Sequence, residues 1–113
     1  MGDYQIILSR DLLQYSENDP VCVTGIISDK WGKRDNFGIS LKDLTGSVNV
    51  SFWNNQRHYS KDMFTKGKRV RIYASVSLDR KGQKCLGNVV SVEFLEEINQ
   101  LNKELDILEQ ESL

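Results

Sequence analysis

The residues of this sequence best suited to bind another molecule are its two tryptophans and the basic residues near them. Trp31 lies between Lys30 and Lys33, and Trp53 ends an alternating run on its polar side. Flat aromatic rings can stack on planar groups, while lysine and arginine attract phosphates. The combination indicates a surface that binds a polyanion carrying aromatic groups. One alternative stays open for each tryptophan: Trp31 folds over the mouth of its own domain, or Trp53 covers the element that follows its strand.

Residues that would support catalysis are sparse. His58 is the single histidine, and the body of the chain holds no paired carboxylates that suit a general acid and base. Cys22 and Cys85 are too few and too far apart for a disulfide framework or a zinc site, so we interpret them as free thiols within strands. We therefore expect no enzyme, no metal, no cofactor and no small-molecule substrate.

The formal net charge of −1 conceals an uneven distribution along the chain. Between Pro20 and Val92 there are thirteen basic and five acidic residues, a net charge of +8, and the two ends together carry −9. A basic body attracts polyanions even in a protein that is nearly neutral overall. A solvated lysine-rich surface without a ligand is the alternative interpretation.

Length and composition favour one small domain. The 113 residues are 39% hydrophobic, which is enough for a core. We find no apolar run of membrane-spanning length and no signal peptide, and two unpaired cysteines suit a reducing compartment. The sequence therefore predicts a cytoplasmic or nucleoid-associated protein that is not secreted and has no membrane partner.

Alternating apolar and polar residues predict five β-strands. On this pattern Phe37 and Phe52 face the core. Gly25 and Gly87 lie inside strands, at positions where a barrel bends its corners. The strands, joined by turn-rich segments that include 29–36 and 79–84, are expected over 21–28, 37–44, 47–53, 69–78 and 85–94.

Three helical segments are predicted beside the strands. Ser9 is a candidate N-cap for one or two turns that hold Leu12 and Leu13. A second helix is expected over residues 56–64, between the third and fourth strands. A third begins near Phe94, where apolar residues recur at spacings of four and three, the a/d stripe of an amphipathic helix. The later residues of that stripe are Ile98, Leu101, Leu105 and Leu108.

Five strands with a helix after the third have the order of the OB-fold, a small barrel that leaves few free sheet edges. The predicted fold class is therefore all-β with flanking helices: a five-stranded OB-fold barrel, one helix between strands three and four, and a C-terminal helix. Three parts follow along the chain. Residues 1–19 are an N-terminal extension with a short helix, 20–94 the barrel and 95–113 the C-terminal amphipathic helix.

The third strand and its surroundings resemble a known family. LKDLTGSVNVSFWNNQ, followed later by KGKRVRIYASV, is similar to the OB domains of replication protein A and related single-stranded DNA-binding modules. The matching features are a D-x-T-G turn ending at Gly46, an aromatic pair with asparagine at 52–54, and Gly67 ahead of the fourth strand. Bacterial polymerase and exonuclease accessory domains and some tRNA synthetase anticodon-binding domains share much of this pattern. The resemblance covers residues 20–95.

The resemblance implies a groove across the second and third strands, flanked by two basic loops. Single-stranded nucleic acid, DNA in preference to RNA, would bind there with little sequence specificity, in replication, recombination or repair. The second loop lacks the aromatic residue that the family often has, which argues against tight, extended stacking. The residues expected to contact nucleic acid are Lys30, Trp31, Lys33, Arg34, Lys42, Asn49, Ser51, Trp53, Arg80, Lys81 and Lys84.

The striped C-terminal segment predicts a protein contact, because so short a helix is marginal alone. It can pack on its own barrel, on a second copy or on another protein. Replication protein A subunits assemble through helices that follow their OB domains, so the resemblance implies oligomerisation or partner docking. A protein-interaction module is the rival function, and an accessory domain beside a polymerase, exonuclease or synthetase is a third. The expected interface residues are Ile98, Leu101, Leu105 and Leu108.

Overall fold

The computed structural model describes residues 3–53 and 59–95, and most of these residues lie in β-strands. The strands are β1 Gln5–Ile6, β2 Pro20–Gly32, β3 Phe37–Asp43, β4 Gly46–Ser51, β5 Arg69–Leu78 and β6 Lys84–Phe94. Two short 3-10 helices cover Ser9–Gln14 and Lys61–Met63. Neither of these described helices has the length or the apolar character needed to cross a membrane.

Strands β2 to β6 close into a five-stranded barrel. Along the sheet the order is β1-β2-β3-β4-β6-β5, and pairing of β2 with β5 closes the ring. All the contacts within the ring are antiparallel except that between β4 and β6, which is parallel and registers Val50 with Leu86. Strand β1 lies outside the ring and pairs in parallel with the start of β2. The prediction of a five-stranded OB-fold barrel is therefore confirmed.

The core follows from the alternation of the strands, which sends every second residue inward. An aromatic cluster fills one end of the barrel. Phe37 and Phe52 stack with centroids 4.5 Å apart, and Phe64 lies 5.0 Å from Phe52 and 5.5 Å from Phe94. Phe37 and Phe52 are buried, as the pattern predicted, and Phe64 is inaccessible to solvent.

The turn between β3 and β4 is organised by the carboxylate of Asp43. It accepts hydrogen bonds from the main-chain N–H groups of Thr45 at 2.8 Å and Gly46 at 3.1 Å, and from the Thr45 hydroxyl at 2.7 Å. Ser9 adds two more, from its N–H at 2.8 Å and its hydroxyl at 2.7 Å. The D-x-T-G motif therefore forms the turn and also attaches the N-terminal extension to the barrel.

The N-terminal extension packs on the barrel at several points. Ile7 and Leu12 belong to the buried core. Tyr4 lies edge-on against Tyr73 of β5, with ring centroids 5.5 Å apart. Because Ile7 and Leu12 are buried in the core and Ser9 is hydrogen-bonded to Asp43, the extension is part of the same folded unit.

Gly25 and Gly87 mark irregular places in their strands, as expected. A Cβ on Gly25 would lie 2.9 Å from the carbonyl oxygen of Lys42, so only glycine lets β2 approach β3 so closely. Next to it, at Ile26, β2 pairs with both β5 and β3. The register between β5 and β6 shifts just after Gly87.

The prediction of a helix over 56–64 is wrong for residues 59–64, the part that the structure describes. Only Lys61–Met63 form a single 3-10 turn, and residues 54–58 lie outside the described residues. The main-chain N–H of Lys61 donates to the carbonyl of Arg34 at 3.0 Å, so it does not enter an α-helical ladder. A tertiary hydrogen bond to the β2–β3 hairpin replaces the local one.

The other two helical predictions also change. Residues Ser9–Gln14 form a 3-10 helix whose N-cap is Leu8, because the side chain of Ser9 is bound to Asp43 instead of capping. Leu12 is buried, but Leu13 is 76% exposed. Phe94 ends strand β6 and does not begin a helix. The rest of the predicted C-terminal helix, including Ile98, Leu101, Leu105 and Leu108, lies outside the described residues.

Candidate nucleic-acid interface

A groove of about 1060 Å³ crosses the outer face of the barrel between two hairpin loops, 33–36 and 79–83. The end of β2 and the start of β3 form one part of its wall, and β4 another. The side chains that these strands contribute include Trp31, Asn49 and Ser51, and Trp53 follows directly after β4. The opposite wall comes from the β5–β6 hairpin, with Ser77, Leu78, Asp79, Arg80, Lys81, Gln83, Cys85 and Asn88.

Trp31 belongs to a strand and not to the turn-rich loop that the sequence predicted. Strand β2 continues through Gly32, which pairs with Phe37, and Trp31 pairs with Gly38. Gly32 has a φ of +94°, which favours glycine, and it allows a four-residue turn closed by the Lys33 N–H to Asn36 oxygen bond of 2.9 Å. The turn therefore covers only 33–36, and Trp31 is 43% exposed on strand β2.

Trp53 follows β4 on the side of the barrel that faces the groove. Asn49 and Ser51 share that side, while Val48, Val50 and Phe52 are buried. Trp53 is 60% exposed. Residues 54–58, the segment that it was alternatively expected to cover, lie outside the described residues. Both tryptophans of the protein thus line the same groove with open surface.

Three of the predicted cations line the groove: Lys33, Arg80 and Lys81. Within residues 3–53 and 59–95, no ion pair joins any of them to an acid. The acid beside them, Asp79, accepts hydrogen bonds from the N–H groups of Lys81 at 2.8 Å and Gln83 at 2.9 Å. Its carboxylate therefore shapes the loop, and the cations are available to an external anion.

Four other predicted cations are not among the groove-lining residues: Lys30, Arg34, Lys42 and Lys84. The ammonium of Lys84 donates to the carbonyl oxygens of Leu13, at 3.0 Å, and Tyr15. That of Lys30 lies 3.4 Å from the carbonyl of Lys61. As nucleic-acid ligands these four stay predictions, and the structure gives Lys84 a structural task.

Lys61 is not among the residues that the sequence predicted near the loops, because it falls in the helix expected over 56–64. Its ammonium donates to the carbonyl of Gly32 at 2.8 Å, so it lies beside the β2–β3 hairpin. No local signal reveals this contact, because 29 residues separate the partners. Gln83 was also missed, although its position in the loop DRKGQK made it a plain candidate.

The groove contains one thiol, that of Cys85, which is 6% exposed. Burial, followed by the nearby Asp79 carboxylate, raises the pKa of the Cys85 thiol, which disfavours the nucleophilic thiolate. Among the described residues no group of histidine, cysteine and acidic side chains is arranged to hold a metal ion. The groove thus presents aromatic rings, cations and amides, which are groups for binding.

Comparison with known protein families gives one match that spans most of the chain. Residues 21–100 match the family model of the OB-fold nucleic acid binding domain, named for the tRNA anticodon. The matched range includes both tryptophans and both hairpin loops. A search of curated protein sequences finds no significant match.

Comparison with solved structures shows the same fold at low sequence identity. A chain of the S. pombe Stn1–Ten1 complex superimposes with a TM-score of 0.61 and 14% identity, covering 98% of this chain and 94% of that one. Telomere capping protein Ten1 from Saccharomyces pombe gives 0.60 and 14%, covering 98% and 100%. The hypothetical protein ygiW from E. coli gives 0.54 and 17%, covering 83% and 99%.

Proposed function

The chain belongs to the family of OB-fold nucleic acid binding domains, and from that premise we propose that its groove binds single-stranded nucleic acid with little sequence specificity. DNA is the ligand that we favour. The observation that carries the proposal is the placement of both tryptophans in one groove with three cations that have no described acidic partner. These are the two kinds of side chain that a single strand needs.

Trp31 and Trp53 supply the stacking surfaces in this proposal. Each keeps a large part of its surface open, and each stands on a strand or directly after one. Stacking tolerates any base because every base has a flat face. Low sequence specificity follows from a groove in which stacking supplies most of the base contacts.

Lys33, Arg80 and Lys81 supply the phosphate contacts. They lie on hairpin loops that bound the groove, so a strand bound between the loops passes within reach of them. Phosphate neutralisation is independent of sequence and depends on salt. Of the predicted set, Asn49 and Ser51 lie on β4, the strand that leads into Trp53, and can hydrogen-bond a base or sugar.

The biological setting that we propose is replication, recombination or repair of DNA. One structural neighbour is named as a telomere capping protein, which favours testing DNA before RNA. We propose binding without catalysis, since the groove offers a thiol held in its protonated form and no obvious acid–base pair among its described residues.

A protein-interaction role is the second candidate. One of the structural neighbours is a chain from a complex of two named proteins, which favours a protein partner for this barrel as well. Residues 96–113, where we predicted the contact, lie outside the described residues. Sedimentation of the intact protein, compared with a variant carrying Leu101→Glu and Leu105→Glu, tests this role: a stable oligomer lost in the variant supports it, and a wild-type monomer argues against self-association.

The central test is tryptophan fluorescence of the intact protein titrated with oligo-dT and with oligo-rU. We expect quenching with both, with tighter binding of dT, and loss of one platform in Trp53→Ala should weaken binding about 5- to 150-fold. Double-stranded DNA of matched length is the control ligand and should quench far less, because its bases are already stacked.

The matched control variant is Leu44→Ala, which removes a fully exposed apolar side chain away from the groove. It should bind like the wild type. A wild-type protein that shows neither quenching nor binding of oligo-dT at low salt would refute the proposed function. Equal binding of duplex and single strand would refute stacking as its basis.

A further inference from the structure

Gly38 lies directly against the ring of Trp31 on the groove side of the barrel. A Cβ built on Gly38 would lie 2.5 Å from Trp31 Cε2 and 2.6 Å from both Cζ2 and Nε1. Carbon atoms that are not bonded pack at about 3.5–4.0 Å. No side chain therefore fits at position 38 while the indole keeps its place.

The ring approaches Gly38 with its face. If the glycine met the ring edge from outside, Cζ2 and Nε1 would be nearer to the added atom than Cε2, which is bonded to both. The observed order is the opposite, with Cε2 nearest. One face of the indole is thus seated on the main chain of β3, and Trp31 still keeps 43% of its surface exposed.

The conformation of the main chain does not by itself require a glycine at this position. Gly38 does not have a positive φ, and it pairs regularly with Trp31 on one side and Ser51 on the other. A glycine inside a strand costs roughly 0.5–1 kcal/mol relative to alanine. The close contact with the Trp31 ring therefore explains why position 38 has no side chain.

We propose that Gly38 is a positioning residue for nucleic-acid binding: its missing side chain lets Trp31 lie flat on the sheet as a preformed base platform. The inference rests on the proposed function and adds the residue that sets the geometry of one of its two platforms. Gly38 itself touches no base in this mechanism and acts through Trp31.

The main chain around the contact leaves little room for an alternative adjustment. Trp31 and Gly38 are paired within the β2–β3 ladder, one step from the tight turn closed by Lys33 and Asn36. Moving the two strands apart would break ladder bonds, whereas turning the indole about its side-chain torsions would not. A methyl group at position 38 should therefore displace the ring and leave the barrel folded.

The test is Gly38→Ala in a Trp53→Phe background, in which Trp31 is the only fluorophore of its kind. In the free protein we expect a red-shifted tryptophan emission and stronger quenching by acrylamide, because the displaced indole loses its contact with the main chain at position 38 and becomes more exposed to water. Affinity for oligo-dT should fall about 5- to 150-fold, the range for loss of one stacked base. Ser40→Ala, on the same side of the same strand but outside the groove lining, is the matched control and should change neither.

A double-mutant cycle separates positioning from a general structural role. In a Trp31→Ala background, Gly38→Ala should produce no further loss of affinity, because the ring that it displaces is gone. An equal loss in that background would overturn the inference, and so would unchanged affinity and emission in Gly38→Ala. Urea unfolding of each variant checks that the barrel is intact. If Gly38→Ala destabilises the protein and the additional Trp31→Ala substitution restores its stability, that result also supports the contact between the two residues.

The outcomes distinguish this inference from the proposed function. If the wild type binds oligo-dT and Gly38→Ala binds equally well, the inference alone fails. If the wild type does not bind at all, the proposed function fails and the platform fails with it, whatever the emission of Gly38→Ala.

Discussion

Asp43 connects three segments of the chain through one side chain. Burial alone would raise the pKa of its carboxyl, but the hydrogen bonds from Thr45 and Ser9 outweigh that effect and hold the pKa well below its usual range. The ionised form is the one that accepts all five bonds. Its charge therefore contributes to the stability of the fold as well as to the shape of the turn.

Asp43→Asn should destabilise the protein by about 1–3 kcal/mol, because an amide cannot accept at both positions and its NH₂ would face the N–H of Ser9. A carboxyl with a lowered native pKa contributes stability above the pKa of the unfolded chain, about 3.9, and loses it as the pH falls. Urea unfolding from pH 7 to pH 3 should show the gap between wild type and Asp43→Asn narrowing below about pH 4. Asp35→Asn, at an exposed carboxyl in the hairpin loop, is the control; a gap independent of pH would contradict the role of the charge.

At the scale of elements, the N-terminal 3-10 helix and the β5–β6 hairpin support each other. The ammonium of Lys84 spans from the base of the hairpin to the carbonyls of Leu13 and Tyr15. Within the same hairpin, Lys81 extends into the groove lining. Two lysines three residues apart thus have different tasks because only one meets a neighbouring element.

Lys84→Met should therefore lower mainly the stability of the fold, and Lys81→Met mainly the affinity for nucleic acid. Methionine keeps the apolar stem of lysine but cannot donate, so Lys84→Met should cost about 1 kcal/mol of unfolding free energy and change oligo-dT affinity less than 2-fold. Lys81→Met should change stability by less than about 0.5 kcal/mol and weaken binding. Chemical unfolding and fluorescence titration of both variants check this, and a Lys84→Met protein of normal stability and weak binding would return Lys84 to the phosphate contacts.

For the molecule as a whole, only part of the basic body from 20 to 92 lies at the groove. Twelve of its thirteen cations lie within the described residues. Three of these twelve line the groove, and Arg71 is paired with Glu93 at 3.2 Å. Lys66 pairs with Asp29 at 3.6 Å on another part of the surface. Under the proposed function, the local geometry of the groove, and not the total charge, would decide which cations a bound strand meets.

The salt dependence of binding tests that view. Three phosphate contacts to a single strand predict a slope of about −2 for log K against log salt, at about 0.7 per contact. Titrations of the intact protein with oligo-dT over a range of sodium chloride concentrations measure it. A slope near zero would exclude phosphate contacts, and one steeper than about −4 would require cations beyond the groove, with Lys61 beside the first hairpin as the first to replace.

The alternation of residues by itself predicted the five barrel strands, though not the full length of β2, and the buried faces of Phe37 and Phe52. The residue types of the D-x-T-G motif predicted the turn. Each of these depends on neighbours a few residues away, which a local pattern records. The two tryptophans could be proposed as stacking surfaces from local signals as well, Trp53 from its parity on a predicted strand and Trp31 from its basic neighbours. That Trp31 lies on a strand was not visible along the chain.

Only the tertiary structure decided how the remaining residues are used. Lys61 gives its N–H to Arg34 in place of a helical partner, Lys84 reaches Leu13 across 71 residues, and Gly38 makes room for Trp31 on the adjacent strand. The physical reason is common to all three. Hydrogen bonds and van der Waals contacts act over a few ångströms in space, and closing the barrel brings together groups whose separation along the chain carries no signal of their meeting.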